Sequence, residues 1–510
     1  MKTLRLILGD QLNSKHSWFK KTNENVVYCL FEMRQETDYV IHHIQKVIGF
    51  FAAMRQFAND LKAQNHHVIY FKINDENNTQ SLSENLMLLI ENHHITRFEY
   101  QFPDEFRLDE QLKYFCKTRS MESEAYSSEH FYTQRNDLAI FFKGKKQYLM
   151  ENFYRDMRKK HDILMVAGQP EGGKWNYDHS NRNKWKGSFG IPAYKYFIND
   201  VSDVVSDIEN AGIKTLGNFK TRTFSYPITR KQALEQLKYF CETLLIHFGD
   251  YQDAMHTEET YLFHSKLSFA MNLKLISAKD VVKTVLNYYR KHENDIAISQ
   301  VEGFVRQIIG WREYMRGMYW ARMPEFKTEN ALKNNNKLAN FFWTGTTQMN
   351  CVKHAINNSL ENGYAHHIQR LMITGNYALL TQTNPKDVDA WYLGIYVDAI
   401  EWVQLPNTRG MSQFADGGKI ATKPYISSSA YIHKMSNYCE SCHYNKNKKI
   451  EADACPFNSL YWNFLDEKRE FLADNFRMKM MYSVLDKMKP KELQQLKEKA
   501  QHIIAHQNDY

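Results

Sequence analysis

Through the first 130 residues, apolar positions fall either in short unbroken runs or on a 3.6-residue period. The runs Thr3–Gly9, Asn25–Met33, His67–Ile73 and Ile95–Phe102 are rich in β-branched, leucine and aromatic residues and predict strands. Between them, Tyr39–Gln64, Leu82–Asn92 and Leu108–Thr118 gather their apolar residues on one helical face. Strand–helix alternation of this kind implies βαβ units around a parallel sheet. Ligands of such sheets sit beyond the carboxyl ends of the strands, where Gly9-Asp10-Gln11 falls; a Gly-Asp pair is also what a simple turn requires. A further helical stretch, Gln147–His161, closes this part of the chain.

The pattern then breaks into the polar stretch GQPEGGKWNYDHSNRNKWKGS, residues 168–188. In it Lys174, Arg182, Lys184 and Lys186 interleave with Trp175, Tyr177 and Trp185. Cations for phosphates and rings for bases would suit nucleic acid, and a solvated interdomain linker would look the same. From about Ile228 onward the period is helical, in ITRKQALEQLKYFCETLLIHFGD, SAKDVVKTVLNYYRKHE and VEGFVRQIIGWREYMRGMYW. The expected architecture is an α/β domain with a parallel sheet over 1–135, a linker carrying the basic aromatic loop over 136–227, and a large all-α domain over 228–510.

Composition narrows the class. At 510 residues the chain can bury large cores, and no apolar run nears the roughly 20 residues of a membrane span. Its start, MKTLRLILGDQL, reads as a first strand rather than a signal peptide. A cytoplasmic monomer without a membrane partner is expected, and in that reducing compartment clustered cysteines bind metal more often than they pair. A net charge of +8 permits a polyanionic partner. The 31 Tyr, 31 Phe and 9 Trp fill cores or stack on flavins and bases.

The densest chemistry lies between Cys351 and Cys455. Cys439-x-x-Cys442, with Cys455-Pro456 thirteen residues further on, has the spacing of a metal site. Cys351, Cys29, Cys116, Cys241, His433 and His443 are candidates for a fourth ligand. Cys351 fits better than Cys29 and Cys116, which fall in the α/β region. Structural zinc, an iron–sulfur cluster and unrelated thiols all remain open on spacing. His366 and His367 point about 100° apart on a helical pattern, so one can face a cavity while the other packs. A histidine there can deliver a proton near neutrality. Arg370 and Asp398 can pair, and Trp343, Trp391, Tyr392, Tyr396 and Trp402 are either core or an electron relay.

ILGDQL, GGKWNYD, FHSKLSFAMNLKL, RQIIGWREYMRGMYW, HHIQRLMITGN, LPNTRGMSQFADGG and the cysteine set together resemble the cryptochrome/photolyase superfamily. The closest resemblance is to its iron–sulfur bacterial branch of prokaryotic (6-4) photolyases, along essentially the whole chain. That resemblance implies light-driven repair of (6-4) photoproducts in UV-damaged DNA, or blue-light sensing with the same cofactors. It implies an α/β antenna domain holding 6,7-dimethyl-8-ribityllumazine near Asp10, Gln11 and Glu36. It implies FAD in the helical domain, held by Ser265, Leu267, Ser268, Gln307, Arg370 and Asp398, with Gln404 facing the flavin N5. The family's Thr-Ser-x-Leu-Ser segment here begins with His264. Cys351, Cys439, Cys442 and Cys455 match the ligands of a [4Fe-4S] cluster. His367 matches the first lesion-site histidine, with His366 in support, and Leu371 stands where other branches place a second. Thr408 replaces the proximal tryptophan of the usual triad, so the relay resembles Trp391, Tyr392 and Trp343. Met411, Tyr425, Lys174 and Arg182 would contact DNA.

Overall fold

The structure is a computed structural model that describes residues 2–187 and 189–510. Five parallel strands form one sheet in the order β3-β2-β1-β4-β5: β1 Thr3–Leu6, β2 Val26–Phe31, β3 His67–Phe71, β4 Arg97–Gln101 and β5 Glu122–Tyr126. The four expected strands are present, β1 and β3 trimmed at their carboxyl ends and β2 and β4 at both. The fifth, ESEAY, lies at the sheet edge, where Glu122 and Glu124 pair with Arg97 on the neighbouring strand. Its acids hid it from a hydrophobic pattern.

The pleat sorts the sheet's side chains into two cores. Leu4, Leu6, Leu8, Val27, Cys29 and Phe31 face the helices Leu82–Asn92 and Phe106–Lys117. Ile7, Val26, Tyr28 and Leu30 face the helix Ile44–Ala63, in a core that runs on without a break into the helical half. That helix begins later than the pattern from Tyr39 implied, because His43 caps it. The Nδ1 of His43 accepts from the Gln45 amide at 3.1 Å and its Nε2 meets the Leu360 carbonyl at 2.9 Å.

Beyond the sheet the regular structure among the described residues is helical apart from two short antiparallel pairs, Met165–Val166 with Gln169–Pro170 and Asn199–Asp200 with Thr223–Phe224. Four segments widen into π-helical turns: Phe240–Leu244, Arg306–Arg312, Gln369–Gly375 and Pro406–Ser412. Such turns recur at functional sites, and three of these four carry or adjoin Gln307, Arg370 or Gln404. No helix among the described residues is long and apolar enough to cross a membrane.

A buried ion cluster locks the halves together. Lys274, 1% exposed, lies 2.7 Å from Asp10 Oδ2 and 2.9 Å from Asp104 Oδ2, and Arg316 Nε reaches Asp104 Oδ1 at 3.3 Å. Burial alone would raise the Asp104 carboxyl, but Lys274, Arg316 and Arg135 outweigh it and hold the group at about 2. Asp10 moves the other way, raised by burial and by Asp104 against the pull of Lys274.

Candidate active site and cofactor sites

The loop after β1 opens onto a cavity of about 140 Å³ at the carboxyl end of the sheet. Gly9, Asp10, Glu36, Tyr39, Lys46 and Glu105 line it, and Ala399–Trp402 of the helical half close it. Glu36 is gripped from both oxygens by Arg107, at 3.0 and 2.7 Å. Burial lowers Lys46 to about 7, and burial with neighbouring Glu36 and Glu401 raises Glu105 to about 7. Gln11 is not on the wall. Fully buried, it accepts from the Leu8 amide and donates to the Gln101 carbonyl, so its part is to fix the loop.

Deeper in the helical half, Arg370 Nη2 donates to both Asp398 oxygens, at 3.0 and 3.3 Å, while its Nε donates to the Ala365 carbonyl. The guanidinium stacks 3.7 Å over the Tyr396 ring. Two adjoining segments bring His264, His366 and His367 to this pair. His264 and His366 stack at 4.7 Å, and both ring nitrogens of His366 and the Nε2 of His264 are buried without a partner. An unpaired buried polar atom costs about 1–3 kcal/mol, so this cluster is chemistry left for a ligand. His264 was legible only as a departure from the family's threonine. The stacking on His366 is a contact that no spacing encodes.

His367 differs from its neighbours. Its side chain is solvent-exposed while protein surrounds it on most sides, which places it in the floor of a cleft. Burial and the Arg370 charge lower its pKa to about 4. Gln404 Nε2 donates to Thr408 Oγ1 at 2.7 Å, which leaves its carbonyl oxygen free to accept. Gln307 donates back to the Gly303 carbonyl. Ser268 is exposed at the head of a short helix, Ser265 and Gln307 are half-buried, and Leu267 and Met411 lie in the core.

The aromatic residues form an incomplete chain. Tyr392 donates to the Arg370 carbonyl and touches Trp391 at 5.3 Å. Trp391 meets Phe342 at 4.9 Å and bonds to its carbonyl. Trp343, 43% exposed, follows Phe342 and is not in ring contact with Trp391 among the described residues.

All four candidate cysteines line one small cavity with Met349, Ile432, Tyr438, Tyr444 and Phe457. They are free thiols, and among the described residues no three His, Cys, Asp or Glu side chains are arranged to close around a metal ion. Burial and neighbouring thiols raise Cys351, Cys439 and Cys455, Cys439 to about 11 and Cys455 to about 12. A cationic centre bound among these thiols would draw off their protons. Cys29, Cys116 and Cys241 are elsewhere and do not line this cavity.

The basic aromatic loop is only partly what its composition implied. Trp185, 3% exposed, is packed among Phe189, Tyr251 and Phe263, so it anchors the loop and offers no face to a base. Trp175 is covered by Arg155, Arg158 and Lys159. Lys184 is paired with Glu440 at 2.9 Å. Lys174 and Arg182 are exposed, and Tyr425 is half-buried close to Arg182.

A family model described as deoxyribodipyrimidine photo-lyase-related protein matches residues 5–224. A protein of Agrobacterium fabrum named (6-4) photolyase is 40% identical over 505 residues, which span 98% of both chains. The chain belongs to the (6-4) photolyase family. A crystal structure of a bacterial class III photolyase from Agrobacterium tumefaciens overlays with a TM-score of 0.54 at 13% identity, covering 96% of this chain and 98% of that one. At that identity the likeness speaks for the fold, a parallel sheet followed by a helical half, as the family expectation had it.

Proposed function

We propose that the protein is a light-driven DNA repair enzyme acting on (6-4) pyrimidine–pyrimidone photoproducts. The observation that carries this is His367, exposed in a cleft floor beside the Arg370–Asp398 pair and backed by two unpaired buried histidines. The residues around Arg370 fit FAD. Arg370 and Asp398 would hold the ring edge, Gln404 would offer its free carbonyl oxygen at N5, and His264–Ser268 with Gln307 would meet the phosphates. Bound there and reduced, the flavin supplies an electron on absorbing light. His367 holds a proton for the oxygen that must return to the 5′ base. Extrusion of the lesion into the cleft is cheapest where pairing is already damaged, which favours lesions over intact sites. Arg182 and Lys174 would contact phosphates and Tyr425 the lesion, and Tyr392, Trp391 and Trp343 would carry electrons toward the surface.

The cavity at the sheet's carboxyl end fits a small aromatic antenna such as the lumazine. Its wall combines apolar and aromatic side chains with the polar groups of Asp10, Glu36, Lys46 and Glu105. Cys351, Cys439, Cys442 and Cys455 would hold a [4Fe-4S] cluster, which draws the 351 and 439–455 segments together. Cys351→Ala should then be isolated with less iron and without the brown absorbance, measured by iron analysis and visible spectroscopy. Full iron content in that variant would remove Cys351 from the ligand set.

The decisive assay illuminates reduced protein with an oligonucleotide bearing one (6-4) photoproduct and follows restored pyrimidines by chromatography. Restoration only in the light is expected. An untouched lesion under light that does excite the flavin would leave blue-light sensing as the function.

A further inference from the structure

Three cations beside Tyr425 outnumber the acids near them: Asp178 is paired with Arg306, and Asp253, raised by burial to about 6 against the pull of Arg182, makes no ion pair among the described residues. Arg182, Lys423 and Arg477 come from separate segments, and their side chains make no ion pair or hydrogen bond among the described residues. They are nevertheless close neighbours. Lys423 is lowered by burial and then by the charges of Arg477 and Arg182, and both arginines act on Tyr425. Asn475 Nδ2 donates to the Thr422 carbonyl at 2.9 Å, which clamps the turn carrying Arg477 to the strap that carries Lys423 and Tyr425. Beside Arg477 stands Phe476, 81% exposed and the most exposed aromatic side chain among the described residues. The turn leads into the helix Lys479–Asp486, so its backbone is held at both ends.

We propose that the turn Asn475–Met478 is a second arm of the DNA interface, in which Arg477 with Lys423 takes phosphates and Phe476 enters the duplex as a wedge where the lesion leaves it. This rests on the lesion-repair reading above. Extruding a dinucleotide breaks stacking that an apolar ring can partly replace, and wedges of this type recur in proteins that kink DNA. Charge argues for a nucleic acid over a protein partner. From Lys468 to Lys491, seven basic residues stand against three acidic ones, and Arg477 adjoins Phe476 in the same turn.

The test uses the full-length protein and two duplexes, one with a single (6-4) photoproduct flanked by 2-aminopurine and one undamaged. For Phe476→Ala, affinity for the damaged duplex should fall about tenfold or more, the range of one lost base–aromatic stack. The 2-aminopurine fluorescence rise on binding should shrink, while undamaged affinity moves less than about twofold, because phosphate contacts dominate nonspecific binding. Arg477→Gln should weaken both duplexes and flatten the salt dependence by about one phosphate contact. Wild-type affinity and fluorescence in Phe476→Ala would overturn the wedge. So would a wild-type dimer in sedimentation that Phe476→Ala dissolves, since Met480 and Val484 would then extend a protein contact. A wild type that repairs nothing and does not prefer the damaged duplex would remove the repair reading itself, and the wedge with it.

Discussion

Replacing His367 by alanine should lower the rate of (6-4) repair by about 10²- to 10⁴-fold, the usual worth of a positioned proton donor, and leave the protein folded. The side chain lies in a cleft floor, so its removal opens no core cavity. Single-turnover repair under saturating light, read by chromatography, measures the effect. The pH profile separates proton delivery from simple contact. With a pKa of about 4, His367 is neutral at pH 7, and each unit of acidification raises its charged fraction about tenfold until that value is approached. Wild-type repair should therefore quicken from pH 8 toward pH 5, while His367→Ala stays flat. Stability runs in the opposite sense. The unfolded chain, with histidine near 6.5, binds more protons than the folded chain. The stability tied to the depressed pKa values of His264 and His367 is thus fully present above about pH 6.5 and is lost as pH falls toward 4. An acid-side optimum set by opposing slopes is the expected profile.

Lys274→Met should destabilise the whole protein by about 3–5 kcal/mol, because it removes the cation from a buried pair of carboxylates. Asp10 and Asp104 would then face each other with Arg316, Arg135 and Arg312 as the nearby cations. Urea unfolding followed by far-ultraviolet circular dichroism measures the loss. Asp104→Asn placed on Lys274→Met should recover part of it, since one of the stranded charges is gone. Unchanged stability in Lys274→Met would mean that the ion cluster contributes nothing to holding the halves together.

Much of the α/β half was legible because strands buried on both faces leave dense apolar runs and their helices leave periodic ones. What escaped depended on partners remote in sequence. Strand β5 is stabilised by acids answering Arg97, and Trp185 is a core residue only because Phe189, Tyr251 and Phe263 converge on it. The π-helical turns escaped because one extra residue in a turn leaves the apolar period almost unchanged. Among site residues, the cysteines were legible from their spacing and the Arg370–Asp398 pair from family likeness. The stacking of His264 on His366, the exposure of Phe476 and the structural duty of Gln11 became visible only in three dimensions.

Asp398 holds Arg370, and the four residues that follow it wall the cavity at the sheet. A molecule seated in that cavity stiffens one end of a segment whose other end orients the guanidinium. Whatever each compartment binds, the two equilibria are then linked, and thermodynamics makes the linkage equal in both directions. Filling either compartment first lowers the ordering cost of filling the second. Cooperative loading of the two compartments, with few half-loaded molecules, is the expected consequence.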